Sequence, residues 1–236
     1  MNHIFKDRRE AGRALSIALA ERGELLRDAV VLALPRGGVP VGREVARALG
    51  APLDVLVVRK LGVPGQPELA MGAVASGGVT VAEETVLGEA RISPDVFERI
   101  AEEETRELER RERLFRGSRP PQEVRDRTVL LVDDGIATGS TMLAAIRAAR
   151  ARGAGRVVVA VPVAPEDTCA RLRREADSVI CLETPRPFGA VGFWYETFSQ
   201  LTDDEVGDIL EQARMKRSGR RDPKQVDAHR GTRHRR

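Results

Sequence analysis

The chain has few of the residues that histidine or cysteine chemistry requires. Among its 236 residues there are three histidines and two cysteines. His3, His229 and His234 all lie near the termini, so we do not expect catalysis by histidine. Cys169 and Cys181 match no metal-binding or redox spacing, which predicts reduced, partly buried thiols.

Long apolar runs are also missing. No run approaches the roughly 18 residues of a transmembrane helix, and the N-terminal stretch MNHIFKDRREAGRAL lacks the apolar core of a signal peptide. We therefore expect a cytoplasmic protein with no membrane segment. With 42% hydrophobic residues, the chain can bury one sizeable core, which favours one α/β domain over two.

The net charge of +3 conceals an uneven distribution of charge. Residues 214–236 hold ten Lys or Arg against two Asp, whereas residues 1–213 hold 29 against 34 Asp or Glu. Apolar residues are sparse in the basic segment, so we predict a folded domain over 1–213 and a disordered tail over 214–236. The tail is interpreted as a solubilising extension, and nonspecific contact with nucleic acid is the alternative.

One stretch, VLLVDDGIATGST at 129–141, carries the clearest chemical signal. The apolar run 129–132 is typical of a strand buried on both faces, and the pattern MLAAIRAARARG favours an amphipathic helix closed by Gly153. The loop between them would present the N-terminus of a helix to an anion at the carboxyl end of a parallel strand. The spacing predicts a phosphate-binding loop.

Asp133 and Asp134 cannot serve the phosphate, because a carboxylate repels it. They suit sugar hydroxyls or a divalent cation on the same ligand, so the whole stretch fits a ribose 5-phosphate. A P-loop is excluded, since Gly135 and Gly139 are too close together and no Lys follows them.

Over more than ten consecutive positions this stretch resembles the signature of type I phosphoribosyltransferases, which bind phosphoribosyl pyrophosphate (PRPP). The resemblance implies that Asp133 and Asp134 hold the ribose hydroxyls and that Mg²⁺ is the cofactor, with these two acids as its possible ligands. It also implies that a loop wraps the 5′-phosphate; its residues are Ala137, Thr138, Gly139, Ser140 and Thr141. The alternative is an ordinary N-capped helix after a buried strand.

The stretch PRGGVPVG at 35–42 repeats the strand, glycine loop and helix arrangement after the strand Val30 to Leu34. It lacks the Gly-x-Gly-x-x-Gly spacing of a dinucleotide site. The resemblance implies that Arg36, Gly37 and Gly38 form the pyrophosphate loop, often with a non-proline cis peptide in that family. An ordinary strand-to-helix turn is the alternative.

A third strand, LDVLVVRK, is predicted to end in Arg59 and Lys60 and to turn both cations toward the ligand crevice. The resemblance implies that these two cations bind the leaving pyrophosphate. The alternative is that they lie at a solvated strand end. The Gly- and Pro-rich residues 61–78 that follow are interpreted as a mobile lid, in which Glu68 is the only acid.

Five aromatic residues gather at 188–198, although the whole chain is only 3% aromatic. The resemblance places a hood over the acceptor at about 183–200, with Phe188, Val191 and Trp194 as candidate contacts. A small satellite core is the alternative.

The remaining pattern predicts a helix at about 8–26, a hairpin near 72–84 and a charged helix at about 94–115 with a narrow apolar stripe. Strands at 156–164 and 178–182 flank a helix at 167–176. This alternation predicts an α/β fold, a three-layer parallel sheet with helices on both faces. The resemblance adds a small C-terminal hood. From the resemblance we expect a homodimer.

The predicted function is transfer of a phosphoribosyl group from PRPP to a nitrogen acceptor, such as a nucleobase. Family members acting on 6-oxopurines carry an acid where Ala137 stands, so hypoxanthine and guanine are not expected substrates. A PRPP-sensing regulator that binds RNA or DNA is the alternative, although no helix-turn-helix or RNA-reading motif is evident. A non-catalytic partner domain would not need Arg36, Arg59 and Lys60 together.

Overall fold

The computed structural model describes residues 4–218, and a parallel five-stranded sheet forms its centre. The strands are β1 (Val30–Ala33), β2 (Leu53–Val55), β6 (Thr128–Val132), β7 (Arg156–Val163) and β8 (Ser178–Glu183), and their order is β2-β1-β6-β7-β8. All four pairings are parallel.

Helices cover both faces of this sheet. The helices are α1 (Arg8–Ala20), α2 (Gly38–Leu49), α3 (Glu84–Glu89), α4 (Pro94–Arg116), α5 (Ser140–Ala151), α6 (Glu166–Leu172) and α7 (Asp203–Ser218). Alternate residues of each central strand enter two separate cores: Val31 and Leu130 pack with α1, α2, α4 and α7, whereas Val30 and Leu131 pack with α5 and α6. The predicted three-layer α/β fold is confirmed.

A second sheet, which is antiparallel, corrects two predictions. It consists of β3 (Val58–Val63), β4 (Gln66–Ala75) and β5 (Val79–Ala82). The predicted third strand is therefore two strands in different sheets, and residues 61–78 form a hairpin and the turn after it, not an irregular loop. Glycine here permits close backbone packing: a Cβ on Gly62 would lie 2.9 Å from the Cα of Pro67. The predicted β4–β5 hairpin is confirmed.

The charged helix α4 is confirmed together with its apolar stripe. Leu108 and Phe115 are buried, and Phe97 and Ile100 pack against the same core. The helix ends at Arg116, which is 2% exposed and whose Nε donates to the Oδ1 of Asp54 in β2 over 2.8 Å. This buried ion pair fixes the end of α4 to the parallel sheet.

Two predicted boundaries are wrong. The first helix ends at Ala20, and a separate 3-10 turn follows at Gly23–Leu26. The predicted start of the tail, residue 214, lies inside α7, because Val206 and Leu210 are buried and anchor this helix to the core. The rest of the predicted tail, 219–236, lies outside the described residues.

Candidate functional site

The loops after β1 and β6 meet at the carboxyl edge of the parallel sheet. A Cβ added to Gly37 would overlap the carboxylate of Asp134. A Cβ on Gly38 would lie 2.6 Å from the carbonyl oxygen of Val132 and 2.9 Å from the Cα of Asp133. The structure therefore brings the two predicted glycine motifs together, at a distance that only glycine permits.

The two acids differ in their partners. One oxygen of Asp133, Oδ1, accepts the backbone amide of Asp134 at 2.8 Å. The Oδ2 of Asp134 accepts a hydrogen bond from the Nε of Arg8 at 2.7 Å, and these two side chains are only 12% and 11% exposed. Burial raises the pKa of both acids; the charge of Asp134 raises the pKa of Asp133 further, whereas Arg8 opposes the rise at Asp134.

Carbonyl groups of the loop after β6 are turned toward α6. The hydroxyl of Thr168 donates to the carbonyl of Ala137 at 2.9 Å, and the guanidinium of Arg171 donates to the carbonyl of Thr138. Neither contact was predicted from the sequence. Both fix the carbonyl side of the loop to the protein.

The amide side of the same loop is left open. Gly139 has a φ of 76°, and α5 begins directly after it at Ser140. Among residues 4–218, the backbone amides of 137–141 donate no hydrogen bond. Free amides at a helix N-terminus, with the positive end of the helix dipole, are suited to an anion.

The loop after β1 contains a cis peptide between Pro35 and Arg36, as the resemblance implied. The Arg36 side chain is exposed, and its NH1 lies 3.9 Å from the Oδ1 of Asp203 in α7. Such an exposed contact is weak. The guanidinium is therefore available to a ligand at this edge.

Arg59 and Lys60 do not lie where they were predicted. They belong to β3 of the antiparallel sheet, opposite Val74 and Ala73, and not to the carboxyl end of a parallel strand. The guanidinium of Arg59 pairs with Glu104 of α4, whereas the Lys60 side chain is exposed. The strand-end argument for these two cations is wrong, since the chain changes sheets at Leu56 and Val57.

The predicted hood packs directly on the acid loop through a 3-10 turn at Val191–Trp194. A Cβ on Gly135 would lie 2.5 Å from the Cγ1 of Val191. The indole Nε1 of Trp194 donates to the carbonyl of Phe188 at 3.0 Å, so its polar atom is used within the hood. A cleft of about 390 Å³ lies beside the hood. It is lined by Pro165, Glu166, Asp167, Pro185, Arg186 and Phe188.

Three residues of the site were not singled out from the sequence. Tyr195 is buried, and its hydroxyl donates to the backbone carbonyl of Asp134 at 2.5 Å. Its ring stacks on Phe198 at 5.1 Å between centroids, and Arg8 lies 3.9 Å above the Phe198 ring. The aromatic cluster at 188–198 pointed to Tyr195 and Phe198. Nothing in the sequence distinguishes Arg8 from the other 38 Lys and Arg residues.

Residues 4–218 lack two further features. No helix in this part of the chain is long and apolar enough to cross a membrane. The same residues contain no group of three or more His, Cys, Asp or Glu side chains placed to hold a metal ion.

Comparison with known proteins decides the family. The model of the phosphoribosyl transferase domain matches residues 9–196, which include both glycine loops, the acid pair and most of the hood. The chain belongs to the phosphoribosyl transferase domain family. The family predicted from the motif at 129–141 is confirmed.

Relatives of this phosphoribosyl transferase domain include two Mycobacterium tuberculosis proteins, from strains CDC 1551 / Oshkosh and H37Rv, named provisionally as phosphoribosyl transferases. Each is 49% identical over 210 residues, which cover 89% of this chain and 47% of the relative. This domain thus spans about half of the length of these curated relatives. The crystal structure of TT1426 from Thermus thermophilus is 46% identical, with a TM-score of 0.80, and the match covers 88% of this chain and 98% of that one.

Proposed function

We propose that this phosphoribosyl transferase domain binds PRPP at the carboxyl edge of its parallel sheet and transfers the phosphoribosyl group to a nitrogen acceptor. One observation carries the proposal. The acid pair lies between two glycine loops, with the Asp134 carboxylate directly against Gly37 and open amides on 137–141. Ribose hydroxyls need acceptors and phosphates need donors, and this edge offers both within one crevice.

The 5′-phosphate would bind the amides of 137–141, because these amides are open while Thr168 and Arg171 hold the carbonyls of Ala137 and Thr138. Asp133, which forms no ion pair within residues 4–218, and Asp134, which is paired with Arg8, would both accept from the ribose hydroxyls. The pyrophosphate would lie along Arg36, Gly37 and Gly38, where the exposed guanidinium adds positive charge.

The donor set suits Mg²⁺ bound together with its substrate. This ion keeps several waters and uses one or two carboxylates plus substrate phosphates. Asp133 and Asp134 would supply the carboxylates, although Arg8 already neutralises part of the charge of Asp134. When bound, Mg²⁺ would offset the charge of the pyrophosphate as it departs.

In the proposed reaction, a nitrogen lone pair of the acceptor attacks the ribose C1 atom. The bond from C1 to the pyrophosphate oxygen breaks, and the electron pair leaves with the pyrophosphate. Arg36, whose guanidinium is exposed at this edge, would stabilise this charge.

The acceptor would enter the cleft beside Phe188, between the hood and the start of α6. Two proline rings and one aromatic ring among the lining residues suit the faces of a flat heterocycle. The side chain of Ala137 is only a methyl group, so it cannot exchange a proton with an acceptor. We therefore favour acceptors of the adenine or orotate kind over 6-oxopurines.

The proposal is tested by incubating the protein with PRPP, Mg²⁺ and a panel of nitrogen acceptors while pyrophosphate release is followed. Direct PRPP binding is measured in parallel by calorimetry. Release that depends on one acceptor supports the transferase. Binding of PRPP without release from any acceptor would instead favour a PRPP-sensing regulator, and no binding at all would overturn both.

A further inference from the structure

Arg8, at the first turn of α1, is the cation that faces the acid pair in the described part of the chain. Its Nε donates to the Oδ2 of Asp134 over 2.7 Å, and its NH1 donates to the carbonyl of Ser199 over 2.8 Å. The guanidinium also lies 3.9 Å from the centroid of the Phe198 ring. One side chain therefore joins α1, the acid loop and the end of the hood.

We propose that Arg8 is a positioning residue of the ribose site, which orients the Asp134 carboxylate for the sugar. This inference rests on the proposed function. Arg8 acts through Asp134 and contacts no reacting atom. Its bond to Oδ2 leaves Oδ1 as the oxygen that can accept from a ribose hydroxyl.

The electrostatics of the crevice give this pair its importance. Two adjacent carboxylates that are withdrawn from water repel each other, so their directions must be fixed by other contacts. Arg8 supplies the opposite charge at contact distance, and its planar fork and the Phe198 ring fix its direction.

Both the backbone and the side chain of Asp134 are held by other residues of the site. Tyr195 holds the backbone of Asp134 through its hydroxyl, and Arg8 holds the side chain of the same residue. The acid is thus fixed at two points, both supplied by segments distant in the sequence. Its geometry is set before a ligand arrives, which lowers the entropic cost of binding.

The experiment compares Arg8→Gln, Arg8→Lys and the matched control Arg9→Gln, which alters an exposed arginine one position along the same helix. PRPP affinity with Mg²⁺ is measured by calorimetry on the full chain. Inorganic phosphate affinity is measured as well, because phosphate has no ribose hydroxyl for Asp134 to accept from. Where an acceptor has been identified, KM for PRPP and kcat are determined separately.

We expect Arg8→Gln to weaken PRPP binding about tenfold, because one charge-assisted hydrogen bond is lost. The same variant should raise KM for PRPP far more than it lowers kcat. Phosphate affinity should stay within about twofold, since this ligand does not use Asp134. Arg8→Lys should recover part of the loss, because it restores the charge but not the fork. Arg9→Gln should match the wild type.

A double-mutant cycle with Asp134→Asn tests the route of the effect. Asp134→Asn alone should weaken PRPP binding and lower the melting temperature, because the nearly buried Arg8 loses its charged partner. Adding Arg8→Gln to this variant should change PRPP affinity by less than about twofold if both residues act together. Additive losses would overturn the proposal.

Other outcomes are equally decisive. A folded Arg8→Gln protein with native PRPP affinity, or with equal losses for PRPP and phosphate, would overturn the positioning role and leave the proposed function standing. If Arg8→Gln does not fold, Arg8→Lys and Phe198→Leu replace it, and native PRPP affinity in both would overturn the role. A wild-type protein that does not bind PRPP overturns the proposed function instead.

Discussion

At the scale of single residues, Gly37 gives the clearest test of how closely the two loops approach. Its φ is −60°, a value that alanine adopts without strain, but its Cβ would overlap the Asp134 carboxylate. We expect Gly37→Ala to weaken PRPP binding by about tenfold or more, because the acid or the loop must move. Calorimetry measures the PRPP affinity of this variant and of the control Gly88→Ala, in which the added Cβ meets no atom within 4 Å. Native affinity in Gly37→Ala would contradict the proposed site.

Ala137 carries the prediction about the acceptor. Proton transfer by a positioned group contributes about 10² to 10⁴ in rate, and a methyl group supplies none. We therefore expect little or no turnover of hypoxanthine or guanine with PRPP and Mg²⁺, measured as steady-state pyrophosphate release. Turnover near an ordinary enzyme rate of about 10 per second would show that another residue supplies the proton.

At the scale of secondary structure, the buried pair between α4 and β2 is the contact most sensitive to a change of charge. Both Asp54 and Arg116 are almost fully buried, and Asp54 also accepts the backbone amide of Gln122 at 2.9 Å. Asp54→Asn should lower the free energy of unfolding by about 3 to 5 kcal/mol, because it leaves Arg116 without its full counter-charge. Urea unfolding measures the loss.

The control for Asp54→Asn is Glu103→Gln in α4. It removes the ion pair between Arg99 and Glu103, whose side chains are 60% and 52% exposed. That change should cost less than about 1 kcal/mol. Equal losses in the two variants would contradict the importance of the buried pair.

Apolar patterning predicted the parallel sheet because β1, β6 and β7 are buried on both faces and helices such as α2 and α5 have one buried face. It failed at 61–78, where glycine and proline suggested a loop. Gly72 instead allows close strand pairing, since a Cβ there would overlap the carbonyl oxygen of Val81. It also missed α7, whose buried Val206 and Leu210 are too few for a strong periodic signal.

At the scale of the whole molecule, the site depends on contacts between segments far apart in the chain. The acid loop and its helix were predictable because strand, loop and helix are contiguous at 128–151. The pairing of Arg8 with Asp134 spans 126 residues, and nothing local to either residue specifies it. The resemblance likewise implied a hood but not that Val191 would pack on Gly135.

Truncation separates the domain from its basic end. Deleting 219–236 should leave both cooperative unfolding and PRPP binding unchanged, because the loops of the proposed site and the anchors of α7 all precede it. Deleting 214–236 also removes Arg214, whose NH2 lies 3.9 Å from Asp54 in a contact that is only 22% and 1% exposed, and should therefore cost more stability than the shorter deletion. Thermal unfolding and calorimetry check both variants.

Loss of PRPP binding or of cooperative unfolding in the shorter truncation would contradict this division. Salt-dependent nucleic-acid binding by the full chain, abolished by the same truncation, would favour the regulator alternative.

The hood also gives the protein an optical property. The chain contains one tryptophan and one tyrosine, and they are neighbours, Trp194 and Tyr195. Tyr195 is bonded to the backbone of Asp134, and Trp194 shares its turn with Val191 beside Gly135. Intrinsic fluorescence therefore originates at a single place, next to the crevice. Ligand occupancy can be followed in the unlabelled wild-type protein, with emission from this one indole reporting changes at the hood.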